Sequence, residues 1–174
     1  MYFPTPFSEA RELPYLHACI QEAFRMHPAL GMMIERIVPP PGATICGEFI
    51  PGGTLVGCNA WVVQRDRKTF GEDCDSYRPE RWLADSDSTH KMERAMLQFG
   101  AGSHVCLGQN IALMEIYKLV PSLMRTYEIS LVDPKKEWTI INGQNMELTD
   151  FNVRMKRRSD LGKIEDAQSG IMLS

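Results

Sequence analysis

No run in this sequence comes near the roughly 20 consecutive apolar residues that cross a bilayer, so its 44% of hydrophobic residues is not spent on a membrane-spanning helix. The opening MYFPTPFSEAREL lacks the basic region and apolar core of a secretory signal. Cysteine is sparse and scattered. Cys19, Cys46, Cys58, Cys74 and Cys106 are an odd set at wide spacing with no CxxC, which argues against a disulfide framework. His104 and Cys106 form the only close His/Cys pair, and a structural zinc site would need a second one. An excess of one charge is missing too. The net charge of −3 gives no general case for nucleic acid as a partner. The run Arg154, Lys156, Arg157 and Arg158 reads as the solvated end of a strand.

What is present is enough for one ordinary soluble domain. A chain of 174 residues can bury roughly 70% of the surface its unfolded form exposes. Leu13, Leu16, Ile20, Ala23 and Phe24 recur at helical spacing between Pro14 and Pro28, which predicts a helix over about 14–27. Glu22 and Arg25 lie away from its apolar stripe. Residues 28–42 are too rich in Pro and Gly for a continuous helix. Ala43–Cys46 and Thr54–Gly57 flank GEFIPGG and predict a hairpin. A short helix is expected over Asn59–Arg65, and irregular chain over 66–90. Leu113, Ile116, Tyr117, Val120, Met124 and Tyr127 predict a second helix. Ile111, Met114 and Leu119 on its other sides imply burial, and Pro121 should kink it. Glu128–Val132 and Trp138–Lys156 read as short strands with a turn at Asn142–Gly143. A loose tail follows.

Before the second helix stands FGAGSHVCLG, residues 99–108. Glycines at 100, 102 and 108 remove side chains, so a large flat group could approach the backbone. The N–H groups and partial positive charge of a helix N-terminus favour a thiolate, and N–H groups aimed at a sulfur tune a bound metal. The residue types alone leave two readings of Cys106 open: a buried free thiol beside a turn, or a ligand. A cysteine nucleophile is disfavoured, because no motif supplies its base and orienting group.

FGAGSHVCLG resembles the heme-binding loop of the cytochrome P450 family, F-x-x-G-x-(R/H)-x-C-x-G. Phe99, Gly102, His104, Cys106 and Gly108 fall on the pattern, with His104 where most members carry Arg. EAFR, Glu22 to Arg25, matches the family's E-x-x-R. YRPERW holds its P-E-R-(F/W) motif with Arg81. The three motifs occur in family order, and the resemblance runs from about Arg11 to Arg158. ERIVPPPG and FGEDCDSYRPERW are similar to fungal members held at the endoplasmic reticulum membrane.

The resemblance implies a mainly α fold with small β-sheets, the incomplete C-terminal heme-binding portion of the family's single domain over residues 1–158, with a loose tail at 159–174. It implies heme b with Cys106 as axial ligand, a thiolate that helps O–O cleavage, and insertion of one oxygen atom of O2 into a small apolar organic substrate. Electrons would come from NADPH through a reductase partner. Glu22, Arg25 and Arg81 would form a buried network behind the loop. His104 and Arg36 would meet heme propionates, although Arg36 beside a Pro-rich turn equally suits a surface arginine. Phe99 would pack beside the sulfur. Two segments resemble substrate-contacting stretches, Ala29–Ile34 with Leu30, Met32 and Met33, and Asn142–Met146 with Asn145; both also read as plain connections. Trp61 reads as a packing residue. Nothing matches (A/G)-G-x-(D/E)-T, the central-helix motif for oxygen and proton handling, so a fragment or truncated gene model is expected. Three readings follow: part of a monooxygenase, a heme-thiolate isomerase or dehydratase of peroxides, and a non-catalytic heme-binding remnant.

Overall fold

The computed structural model describes residues 5–143 and 145–159. The tail expected after residue 158 lies, from residue 160 on, outside the described residues. In chain order the elements are α1 (Phe7–Ala10), α2 (Pro14–Met26), β1 (Ile34–Ile37), β2 (Ala43–Ile45), β3 (Glu48–Ile50), β4 (Leu55–Cys58), α3 (Ala60–Val63), α4 (Arg67–Phe70), a 3-10 turn (Pro79–Leu83), α5 (Ser86–Arg94), a second 3-10 turn (Gly102–His104), α6 (Gln109–Thr126), and strands β5 (Tyr127–Leu131), β6 (Thr139–Asn142), β7 (Met146–Thr149) and β8 (Val153–Arg157). This is the mainly α architecture with small sheets that the resemblance implies.

Helix α2 starts at Pro14, whose missing N–H costs nothing in a first turn. It ends where Pro28 cannot donate to the Phe24 carbonyl and biases His27 away from helix. The last helical bond is His27 N–H to the Ala23 carbonyl, 2.8 Å.

The expected hairpin is corrected. β2 pairs with β3, Ile45 opposite Glu48, across Cys46 and Gly47, both at positive φ (53° and 88°). Two such residues form a turn whose twist suits a two-residue hairpin. β4 pairs instead with β1, Ile34 opposite Cys58 and Ile37 opposite Leu55. The stretch expected to be irregular holds α4 and α5. The Asp85 carboxylate caps α5 by accepting from the Ser88 N–H at 3.0 Å. Only Met92 of α5 is buried, so the sequence shows no apolar stripe there.

The chain forms two compact units. Among the described residues, one is drawn from 5–17, 107–139 and 148–159. In it the Phe7 ring meets Tyr117 edge-on at 6.0 Å, the Thr5 N–H donates to Ser122 Oγ at 2.9 Å, and β5 pairs with β8. Tyr117 and Ser122 are the buried residues of α6, and Ile111, Leu119 and Met124 are exposed. The expectation of a buried second helix is therefore corrected, because α1 covers one stripe of it. Arg154, Lys156 and Arg157 of the basic run lie on β8, exposed throughout, and Arg158 follows it.

The other unit, Ala18–Cys106 with Ile140–Glu147, holds the core cluster of Ala18, Phe70, Cys74, Trp82 and Met92 and the site described next.

Candidate functional site

Glu22 and Arg25 sit one turn apart on α2, and both are completely buried. Arg25 grips Glu22 with two parallel bonds, Nε to Oε2 at 2.8 Å and Nη2 to Oε1 at 2.9 Å. Arg81, on the Pro79–Leu83 turn, donates Nε to Oε1 at 3.0 Å. The Arg78 N–H and the Trp82 indole N–H add bonds of 2.9 Å each. Burial alone would raise the Glu22 carboxyl, but the Arg25 side chain, the Arg78 N–H and the Trp82 indole outweigh it and hold the group below the usual carboxylate range.

Gln64 and the chain between Phe70 and Ser76 supply the remaining oxygen acceptors. Arg25 Nη1 donates to the carbonyls of Gln64 (2.9 Å) and Cys74 (2.6 Å), and Nη2 to that of Ser76 (3.2 Å). Arg81 Nη1 donates to the Phe70 carbonyl (2.5 Å) and Asp73 Oδ1 (3.2 Å), and Nη2 to the carbonyls of Asp73 (3.2 Å) and Ser76 (3.3 Å). A guanidinium has five N–H donors, and each of these two finds five oxygens. Glu22 faces both guanidiniums, and Asp73, part-exposed, pairs with Arg81 and also with Arg78 at the surface side. That opposite charge and full pairing let the two guanidiniums stay in a core at a reduced desolvation penalty.

The cysteine loop follows α5. The Gly100 N–H donates to the Leu97 carbonyl at 2.9 Å, and the Cys106 N–H closes the loop on the Phe99 carbonyl at 2.8 Å. Phe99 packs edge-on against Phe24 of α2, ring centroids 5.3 Å apart. Gly100 and Gly102 hold φ of 73° and 67°, which side-chain-bearing residues rarely adopt. A Cβ at Gly100 would stand 3.2 Å from the His104 carbonyl, whereas one at Gly102 would meet nothing within 4 Å. Val105, Cys106 and His104 are exposed, so the reading of Cys106 as a buried free thiol is set aside. Gly108 precedes α6, and its carbonyl accepts the first bond of that helix, from Ala112 N–H at 2.9 Å.

The two segments marked for substrate contact meet. Leu30 bridges Asn145, and the Met146 N–H donates to the Ala29 carbonyl at 2.8 Å. Met32 and Met33 beside that bridge are exposed. Arg36, on β1, donates Nη1 to the Glu35 carbonyl at 2.6 Å. Trp61 packs against His27 and beneath the Arg65 guanidinium, as a packing residue would. Sequence reasoning missed Gln64, completely buried, which bonds both to α2 and to the Leu97 N–H. Pro28 was the available signal, since it strips the Phe24 carbonyl of its helical donor.

A model of the cytochrome P450 family matches residues 4–155. The chain belongs to the cytochrome P450 family. Among its relatives, the cytochrome P450 monooxygenase cicH of Emericella nidulans is 46% identical over 158 residues, 91% of this chain and 32% of that protein. A cytochrome P450 monooxygenase of Aspergillus terreus is 54% identical over 125 residues, 71% of this chain and 25% of its own. The chain thus spans between a quarter and a third of these curated relatives. The solved structure of the retinoic acid-bound cyanobacterial CYP120A1 superposes with a TM-score of 0.75 at 24% identity, covering 87% of this chain and 34% of its own. The fold is therefore a partial P450 fold.

The family implies a heme, and the loop fits one. Its candidate donor is the exposed Cys106 thiol, and no group of three or more His, Cys, Asp or Glu is assembled for a metal among the described residues. One protein ligand suits a macrocycle that brings its own four nitrogens. Gly102 leaves open space beside the loop. Gln98 Oε1, at the loop's entry, is buried without a partner among the described residues.

Proposed function

We propose that this segment, within its complete protein, belongs to a heme-thiolate monooxygenase that places one oxygen atom of O2 in a small apolar organic substrate. The observation that supports it most is the exposed Cys106 on a loop closed by its own backbone, in a chain of this family. Heme b, when bound, supplies the activation of O2. Cys106 holds it through the sulfur, and the Gly100 and Gly102 turns carry the chain around to that thiol. Phe99, wedged against Phe24, anchors the loop's first residue. His104 and Arg36 reach propionates, Arg36 with the donors that the Glu35 carbonyl leaves over. Leu30, Met32, Met33 and Asn145 contribute one wall for the substrate, the methionines adapting to its shape. An NADPH-dependent reductase delivers electrons, and the endoplasmic reticulum membrane is the expected location. Among the described residues no helix is long and apolar enough to cross a membrane.

The test is a chimera in which this chain replaces the matching part of the Emericella nidulans relative. With a reductase and NADPH, it should show the red-shifted carbon monoxide band of a thiolate-bound reduced heme and form oxygenated product from a panel of small apolar compounds. A heme-loaded chimera without that band overturns the reading. The 174 residues alone should aggregate or bind heme weakly and form no product. Leu107 is fully exposed and Ile37 is 71% exposed, and such surface seeks cover. Stoichiometric heme binding with turnover by the 174 residues would refute that expectation.

His104 stands where most members carry arginine. A neutral imidazole gives a propionate one hydrogen bond without a full charge. In the chimera His104→Arg should hold heme as well as the parent or better, measured as heme per protein after dialysis. Complete loss of heme would show that His104 has another role.

A further inference from the structure

Gln64 ends the short helix α3 and has no access to solvent. Its side chain faces two ways. Nε2 donates to the carbonyls of Phe24 (2.9 Å) and Arg25 (3.1 Å) in the last turn of α2. Oε1 accepts from the Leu97 N–H at 2.7 Å. The partners fix the orientation of the amide, since carbonyls only accept and an N–H only donates. The Gln64 carbonyl in turn accepts from Arg25 Nη1 at 2.9 Å. One residue therefore touches the last turn of α2, the Glu22–Arg25 pair's guanidinium, and the entry of the cysteine loop.

The acceptors are not incidental. The Phe24 carbonyl would bond the N–H four residues on, and position 28 is proline, which has none. A helix carbonyl left bare in a core is costly, and the Gln64 amide supplies the missing donor. Its other end then holds Leu97, two residues before Phe99, whose carbonyl closes the loop on the Cys106 N–H. The Phe24–Phe99 ring contact runs beside this path.

We propose that Gln64 is a positioning residue that sets the Cys106 loop against α2 and so determines whether the Cys106 sulfur is presented as a ligand. The inference rests on the reading of Cys106 as the heme ligand. The link to Leu97 is the part that matters for the loop, and the link to Phe24 and Arg25 is the part that finishes the helix.

The chimera tests it with three variants. Gln64→Met keeps the length of the side chain and removes both its donor and its strong acceptor. At equal heme content it should show roughly a tenfold or greater fall in the ratio of red-shifted to unshifted carbon monoxide band, the size expected when a buried hydrogen-bonding group is left unpaired. Gln64→Glu keeps the acceptor for Leu97 but turns its other oxygen toward the Phe24 and Arg25 carbonyls, so it should melt lower and, at equal heme content, keep the parent's ratio. Trp82→Phe removes one bond to Glu22 without touching the loop; it should lower the melting temperature and leave the ratio unchanged. A Gln64→Met protein that melts lower but keeps the full red-shifted band overturns the proposal, as does a Gln64→Glu protein that loses it. Amide exchange in the unsubstituted protein is the control that needs no variant: Leu97 N–H should exchange slowly, and fast exchange overturns the link. If the unsubstituted chimera has no red-shifted band, the assignment of Cys106 fails, while slow or fast exchange at Leu97 still decides whether Gln64 holds the loop.

Discussion

Replacing Cys106 by alanine in the chimera should abolish the red-shifted carbon monoxide band completely, while Cys58→Ala leaves it intact. The loop offers one sulfur. Cys74 is buried, with its carbonyl tied to Arg25. Cys46 lies in the β2–β3 turn and Cys58 at the end of β4, so neither shares the glycine-rich surroundings of residue 106. A retained band after Cys106→Ala, or its loss after Cys58→Ala, would sink the assignment. Because the Cys106 N–H bonds the Phe99 carbonyl through the backbone, alanine preserves the loop. The variant therefore separates the loss of a ligand from the loss of a fold.

The second large effect is expected at Glu22. In Glu22→Gln the shape stays and the charge goes, so buried Arg25 loses its carboxylate and Arg81 keeps only the part-exposed Asp73, which Arg78 also claims. Stranding a buried charge in this way costs about 3–5 kcal/mol, a large part of the roughly 5–15 kcal/mol that holds a domain folded. Little folded, heme-containing chimera should accumulate. Accumulation with full heme content and an unchanged melting temperature would show that the Glu22 charge contributes no more than a surface ion pair does. The pH dependence carries a sign. The folded Glu22 carboxyl titrates below its ordinary value of 4.5. Its contribution is therefore complete above that value and disappears as pH falls through the lower folded one. Parent protein should lose stability along that acid limb, and whatever Glu22→Gln protein is recovered should lose less.

Local signals in the sequence carried far, and pairing signals did not. Proline at 14 and 28 bounded α2 to within a residue of its observed end, because both act on their own backbone. The turn at Cys46–Gly47 escaped notice because Cys46 gives no hint of the positive φ it adopts, and the partner of β4 lies some twenty residues upstream, a four-residue run between a Pro/Gly pair and the Pro39–Gly42 turn. α5 is nearly all polar, and one buried methionine makes no periodicity. The cysteine loop was legible because backbone freedom, thiol and spacing coincide in ten residues. The meeting of Glu22, Arg25 and Arg81 came only through resemblance. Spacing alone shows a shared helix face, and nothing in it says that the carbonyls of Phe70, Asp73, Cys74 and Ser76 will turn inward. Gln64 illustrates the limit well: proline at 28 announces an orphan carbonyl, but no rule names the residue that will answer it.

The arginine cradle also has a consequence in time. Arg81 is 59 residues from Glu22. At ordinary rates of synthesis, about 5–20 residues per second, the ribosome adds that stretch in roughly 3–12 s. Through that interval Glu22 and Arg25 stand on a nascent helix whose partners have not been made. Hydrated there, the pair contributes about 0.3 kcal/mol, so α2 gains little from it until residues 70–81 have emerged. Closure of the cradle waits for that segment. A pause in translation shortly before Arg81 would prolong the half-built state, with Phe24 uncovered and two charges still wet.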